Sequence, residues 1–416
     1  MTAQSQVRAN PSFTSKLWIV WIAFCLFVNF DIGAGFYSSQ ILLVICAFIW
    51  TVLQLYKFSI EKVWILLSFT AFTLWSFLIE NSVASHRFLP EFAKVFILAL
   101  SFVILVDLKV ESFFDSITLA LPLCTSVLTL FTRLFGDWNT YDPLLSRLGV
   151  PQLGGSPNTA AYVFAFCMLM CHYQWGRRRT FAIRCVLAAS FLILVYGMLA
   201  SQSRGGLFTY LAGSLFLLKP RWRIAVLIAL GIVLIGGLFL SLTVSPEIAR
   251  FNVLLEARDT GGTGRAIIWA QLFTNLLRDP IRILWGNGPG AIDFYLLGIY
   301  PIKSAHSVYV EVLYSYGLIG IIILVAWLAM LRRNANSPLH EPARRPINSA
   351  IWFAMVIAFA LDSDPPAAQI LWLTPLLGAL LIPSWRPLPS PIPQASSHDL
   401  LAGRRALDYP EASLQQ

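Results

Sequence analysis

The chain has 416 residues, 57% of them hydrophobic and only 12% charged, with a formal net charge of +9 and a mean hydropathy of +0.70. Soluble domains carry about 25% charged residues, so one large water-soluble core is excluded. The apolar runs also lack the alternation over roughly ten residues that marks a membrane barrel. The composition predicts an all-α polytopic membrane protein.

A hydrocarbon core of about 30 Å needs roughly 20 apolar residues per helix, and about twelve stretches qualify. In chain order they are 15–30, 36–56, 62–79, 92–107, 112–135, 158–175, 181–200, 205–219, 222–244, 306–331, 348–361 and 367–383. The first follows Lys16 with no small-residue cleavage site after it, so it reads as a membrane helix and not as a cleaved signal. The 6 cysteines all lie in or beside apolar runs and read as packing residues. Cys171 and His172 are adjacent and diverge on a helix, so no metal site is expected there. No internal repeat is evident, which weighs against an inverted-repeat transporter.

Orientation follows from Lys and Arg. With the N-terminus in the cytoplasm, most of the basic residues fall inside, among them Arg177, Arg178, Arg179, Arg332, Arg333, Arg344 and Arg345. Both termini are then cytoplasmic. The net charge is a topology signal, and nothing calls for nucleic acid. Residues 1–383 form one transmembrane domain. Residues 384–416, with "RPLPSPIPQASS", are expected to be a disordered cytoplasmic tail.

The longest outer loop is 245–305, between the ninth and tenth helices. Two amphipathic helices are expected in it. One places Ile248, Phe251, Leu254 and Leu255 on a face. The other does so with Ile268, Leu272, Phe273, Leu276 and Leu277, and Pro280 stops it. Lying on the membrane, they would form a lid.

Chemistry concentrates on the same side. In "SQSRGG", residues 201–206, two helices meet with almost no loop, which holds Arg204 at the edge of the hydrocarbon beside Ser203. Gly205 and Gly206 would permit the tight reversal. A guanidinium there suits a phosphate. "GGTGR" ends in Arg265 at a helix start. "GNGPG", residues 286–290, is a glycine-rich turn around Gly288, not a nucleotide fingerprint, since no strand precedes it. In "SAHSVYVEVLYSYGLIG", residues 304–320, Ser304 is expected to cap a helix with His306 in its first turn. A helix N-terminus lowers a histidine's proton affinity, so a neutral imidazole could accept a proton or bond a phosphate oxygen. Tyr309 and Glu311 follow on that helix, and an arginine is the natural partner for the intramembrane carboxylate. "DSDPP", residues 362–366, reads as a surface turn.

Four pieces in order resemble the O-antigen ligase and polymerase superfamily of bacterial envelope proteins. They are "GGSPNTAAY" with Asn158, "SQSRGG", "TGRAIIW", and "GNGPGA" followed by "HSVYVEVLYSYGLIG". Ser307 stands where that family usually has Asn. The resemblance implies a bacterial inner-membrane enzyme without a cofactor or metal. It would transfer a glycan from undecaprenyl diphosphate to an acceptor hydroxyl at the periplasmic face, by an inverting route. The acceptor would be lipid A-core, another glycan or a protein, and membrane lipids surround the enzyme. Arg204, Arg265 and His306 map to the family's functional positions. Ser203, Asn158, Gly288, Tyr309 and Glu311 are expected to contact substrate. A ligase reading is preferred to a polymerase one. A flippase would want charges midway along several helices, and an O-acyltransferase would not need the outer arginines.

Overall fold

The computed structural model describes residues 31–33, 36–37, 99–106, 110–135, 150, 153, 157–201, 203–218, 265–288, 291–296, 305–361 and 373–383. All belong to the first of two units, Met1–Pro383; the second, Ser384–Gln416, lies outside the described residues. So do the expected spans 15–30, 62–79 and 222–244 and the first amphipathic helix. Two short strands, β1 (Asp31–Gly33) and β2 (Phe36–Tyr37), pair antiparallel. Strand β2 occupies the start of the expected span 36–56. Every other described element is helical.

The helices are α1 (99–106), α2 (Phe114–Phe135, after a 3-10 turn at Val110–Phe113), α3 (Pro157–Arg177), α4 (Phe181–Ser201) and α5 (Arg204–Leu217). Then come α6 (Arg265–Leu277), α7 (Pro280–Trp285), α8 (Ala291–Leu296), α9 (Val308–Ala335), α10 (Arg345–Leu361, after a 3-10 turn at Pro342–Arg344) and α11 (Leu373–Leu380). Among the described residues three segments are long and apolar enough to cross a membrane: Val110–Phe135, Phe181–Ser201 and Val308–Ala335.

Helix α3 is the hub. It begins on Pro157, whose missing N–H costs nothing at a first helical position. Its residues from Thr159 to Cys171 are all buried, as expected of a helix apolar on every side. It packs against α2, α4, α5 and α10. The cores of Phe164, Leu169 and Met170 are fully enclosed.

Helix α9 is broken at Gly317, whose φ of 65° is left-handed. A Cβ there would strike the Leu284 carbonyl and stand 2.7 Å from the Gly286 nitrogen. The break frees carbonyls that the next turn would otherwise bond, and inside a bilayer each must find a donor. The turn after α7 supplies them. Asn287 donates its backbone N–H (2.9 Å) and its side-chain amide (3.2 Å) to Tyr314 O. Gly288 N donates to Ser315 O at 2.9 Å. Arg282 holds Asn287 through its Oδ1 at 2.7 Å. The glycine-rich stretch thus seals a helix break, and two of its glycines have positive φ for that purpose.

At one end of the bundle, polar side chains from four segments interlock. Glu111 accepts from Arg344 (2.9 Å) and faces His340 Nδ1 at 3.5 Å. Asp115 meets Arg177 (3.5 Å) and Arg344 (3.6 Å), and Glu341 meets the same two arginines at 3.2 and 3.5 Å. His340 is anchored from its other nitrogen to Leu381 O at 3.0 Å. These contacts join the starts of α2 and α10 to the ends of α3 and α9.

Candidate functional site

The opposite end gathers the starts of α3, α5, α6 and α9 and the end of α10. Ser203 is the N-cap of α5: its hydroxyl accepts from Gly206 N at 3.4 Å. Arg204 is therefore the first helical residue, and it is exposed. Gly205 and Gly206 are not the reversal hinge that the sequence suggested, since both lie inside the helix and neither has positive φ. They are small because α3 comes so close. A Cβ on Gly205 would strike the Tyr162 hydroxyl and stand 3.5 Å from Leu361 Cβ. One on Gly206 would lie 2.6 Å from the Cβ of Ala161.

Leu361 links this start to the next one. Arg265, first residue of α6, donates from Nη1 to Leu361 O at 3.0 Å. Its Nε is buried with no hydrogen-bond partner. Among the described residues Arg265 meets no carboxylate. One turn on, Trp269 donates its indole N–H to Ala305 O at 2.7 Å, which ties α6 to the chain entering α9.

His306 follows Ala305. The cap of α9 is Ser307, whose side chain makes no capping bond, and the helix starts at Val308. Ser304 is thus not the cap and His306 is not in the first turn: it stands one residue outside. Its φ of 52° makes it the one non-glycine residue in the left-handed region among the described residues, a conformation costing about 1–3 kcal/mol where the surroundings enforce it. Burial, and then the positive charge of Arg265, lower its pKa to about 4. The imidazole is neutral at pH 7, held so first by burial and then by the cation of α6.

The remaining expected residues divide. Tyr309 donates to Val356 O at 3.2 Å, which fixes the start of α9 on α10. Glu311 is half-buried in the first turn of α9, its N–H bonded to Ser307 O at 3.0 Å. Asn158 is half-buried at the second position of α3. Gly288 belongs to the seal of the α9 break, where its N–H is already taken. Tyr162, Trp269 and Leu361 escaped sequence reasoning as site residues. The first two stand inside the quoted motifs, so they were in view; the backbone carbonyl of Leu361 leaves no trace in a sequence. Behind Tyr162 is a mostly apolar cavity between α3, α10 and α11, lined by Thr159, Val163, Phe166, Ala358 and Phe359 among others. Thr159 Oγ1 is buried there without a hydrogen-bond partner. Among the described residues no cluster suits a metal ion.

One cation thus bears on a neutral, strained imidazole, and a second cation heads α5, joined to it through Leu361. Such a set can bind an anion and take up a proton. An O-antigen ligase family model matches residues 189–325, from within α4 to within α9. The matched stretch contains Arg204, Arg265 and His306. No curated protein matches the chain.

Proposed function

On the premise that the chain is a membrane protein of the O-antigen ligase and polymerase superfamily, as the matched segment supports, we propose that it transfers a glycan from undecaprenyl diphosphate to an acceptor hydroxyl at the periplasmic face. The observation that carries this reading is the Arg265–His306 pair. The acceptor oxygen attacks the anomeric carbon opposite the diphosphate. The sugar–oxygen bond breaks, and the diphosphate leaves with the electron pair. Arg265 and Arg204 meet the charge that develops on it, and the acceptor proton passes to His306. Seating the diphosphate offsets the Arg265 charge, so the imidazole gains proton affinity only when donor is bound. The orientation that places this end outside is the one the distribution of Lys and Arg favours.

The test is Arg204→Ala, Arg265→Ala and His306→Ala in a cell-based transfer assay with membrane levels monitored. Each should cost roughly 10²–10³ in rate, and wild-type transfer in all three would end the assignment. Sizing the surface polysaccharide after gene deletion separates the two branches of the superfamily. A ligase loss accumulates long lipid-linked chains, and a polymerase loss leaves single repeats.

A further inference from the structure

We propose that the α6–α7 hairpin is immersed in the lipid leaflet at the Arg204 end, as a wedge that enters the acyl region without crossing it. Helix α6 has 13 residues, about 20 Å at 1.5 Å per residue, too short for a hydrocarbon core of about 30 Å. It nevertheless carries no charged residue from Ala266 to Leu277. Its inner face, Ile268, Leu272 and Leu276, packs on Tyr314, Ala305 and Ile292. Its outer face is mainly apolar as well, with Thr274 the exposed polar residue on it. Ile267, Phe273 and Leu277 are exposed, Leu277 by 66%. The expectation of a single apolar face over Ile268, Leu272, Phe273, Leu276 and Leu277 fails for this reason: the helix is apolar on two sides. Pro280 does not merely stop it. It opens α7 after the Asp279 cap, and α7 continues the exposed surface with Ile281 at 63% and Leu284.

What covers that surface follows from its continuity with a span. The carbonyl of Leu284 lies against Gly317 of α9. From the next residue, Leu318, Ile322 and Val325 are exposed on one face of α9, the spacing of a helical stripe. That stripe faces acyl chains wherever α9 crosses the bilayer, and the outer face of α7 runs into it. Charged groups collect only at the hairpin's ends, and the body of α6 adds just three uncharged polar side chains, Gln271, Thr274 and Asn275. Arg265 stands at the start of α6. At the turn, Asp279 caps Ile281 N at 3.0 Å and pairs with Arg282 at 3.3 Å. This distribution, a mainly apolar body and charged ends, matches helices seated at the boundary of headgroups and acyl chains. The inference needs only a membrane protein, not glycan transfer.

The test places a bimane fluorophore on Leu277→Cys and Ile281→Cys in the full chain, in nanodiscs of phosphatidylethanolamine and phosphatidylglycerol. The wild-type chain serves as the background for native cysteines. Two quenchers are compared: a nitroxide on the lipid acyl chain and aqueous iodide. Ile322→Cys on α9 is the lipid reference and Leu339→Cys, in the turn after α9, the water reference. Immersion predicts that positions 277 and 281 follow Ile322→Cys, with strong nitroxide quenching and little from iodide. Quenching by iodide as at Leu339→Cys would overturn the proposal. So would protection from both quenchers, which would mean that protein, from another part of this chain or a second copy, covers the face. If Leu277→Cys yields no folded protein, Thr274→Cys on the same outer face gives the same reading.

Discussion

The two ends of the bundle handle charge in opposite ways. At the Arg344 end, two arginines share three carboxylates, and a buried histidine leans on one of them. Arg177 and Arg344 each have counter-charges, although Arg344 Nε and the nearby Arg332 Nη1 are themselves buried without a hydrogen-bond partner. At the Arg204 end, Arg265 meets one backbone carbonyl and no carboxylate among the described residues, and its charge adds to burial in lowering the proton affinity of His306. A part-buried cation without a carboxylate is costly. The first end is arranged to be stable as it stands. The second is arranged so that an arriving anion improves it. This difference separates a structural clamp from a binding site better than a count of charged residues.

The largest effect should come from breaking the clamp. Glu111→Ala removes the carboxylate that Arg344 and His340 share, both of them shielded from solvent. Stripping one partner from a buried pair costs about 3–5 kcal/mol. Membrane levels and thermal stability in detergent should fall together. A variant with unchanged melting behaviour would make the two ends alike.

The opposite end should give the opposite result. Arg265→Met replaces a guanidinium whose Nε is buried and unsatisfied, a burden of about 1–3 kcal/mol. Stability should hold or rise, while transfer falls by roughly 10²–10³. Function held at the expense of stability is common at sites. A drop in melting temperature comparable to that of Glu111→Ala would show that Arg265 is part of the scaffold.

Titration sharpens the contrast further. Unfolded, an imidazole titrates near its ordinary value of 6.5, and in the fold His306 does so at about 4. Between these values the unfolded chain holds the extra proton. This group's contribution to stability is complete above about pH 6.5 and is lost as pH falls toward 4. For catalysis, kcat/KM reports the free enzyme and kcat the donor complex. The acid limb of kcat/KM should lie near pH 4, and that of kcat at higher pH, because the seated diphosphate offsets the Arg265 charge. Coincident limbs would remove the Arg265–His306 coupling from the mechanism.

How much of this was legible in the sequence differs between the ends as well. Membrane class and the approximate positions of α2, α3, α4, α5, α9 and α10 followed from hydropathy, because length and apolar content are local properties. Arg265 was placed at a helix start correctly, since the glycines before it are local signals too; Arg204 was read into a tight reversal, whereas it opens α5 behind the Ser203 cap. Three things were not legible. The break in α9 at Gly317 is the first, because its cause is the α7 turn docking from elsewhere in the chain. The cap of α9 fell at Ser307 and not Ser304, which leaves His306 outside the helix with a left-handed backbone that no propensity foretells. The Arg344 clamp joins residues 111 and 344 across most of the chain, and no sequence spacing announces such a pairing.

The smallest effect tests how finely the Arg204 end is set. Ser203 caps α5 through a 3.4 Å bond to Gly206 N, long for such a contact. Removing an N-cap costs about 0.5–2 kcal/mol, typically near 1, and this bond's length points to the lower half. Arg204 follows the cap directly, so fraying the first turn would also loosen the guanidinium. Ser203→Ala should therefore lower the melting temperature slightly and raise KM for the lipid-linked donor more than it lowers kcat. Ser203→Asp keeps a capping oxygen and should restore stability. It also sets a negative charge beside the diphosphate position, so KM should stay high. If Ser203→Asp restored both, the Arg204 end would be tolerant of added anionic charge, and the contrast with the carboxylate-filled Arg344 end would lose its functional meaning.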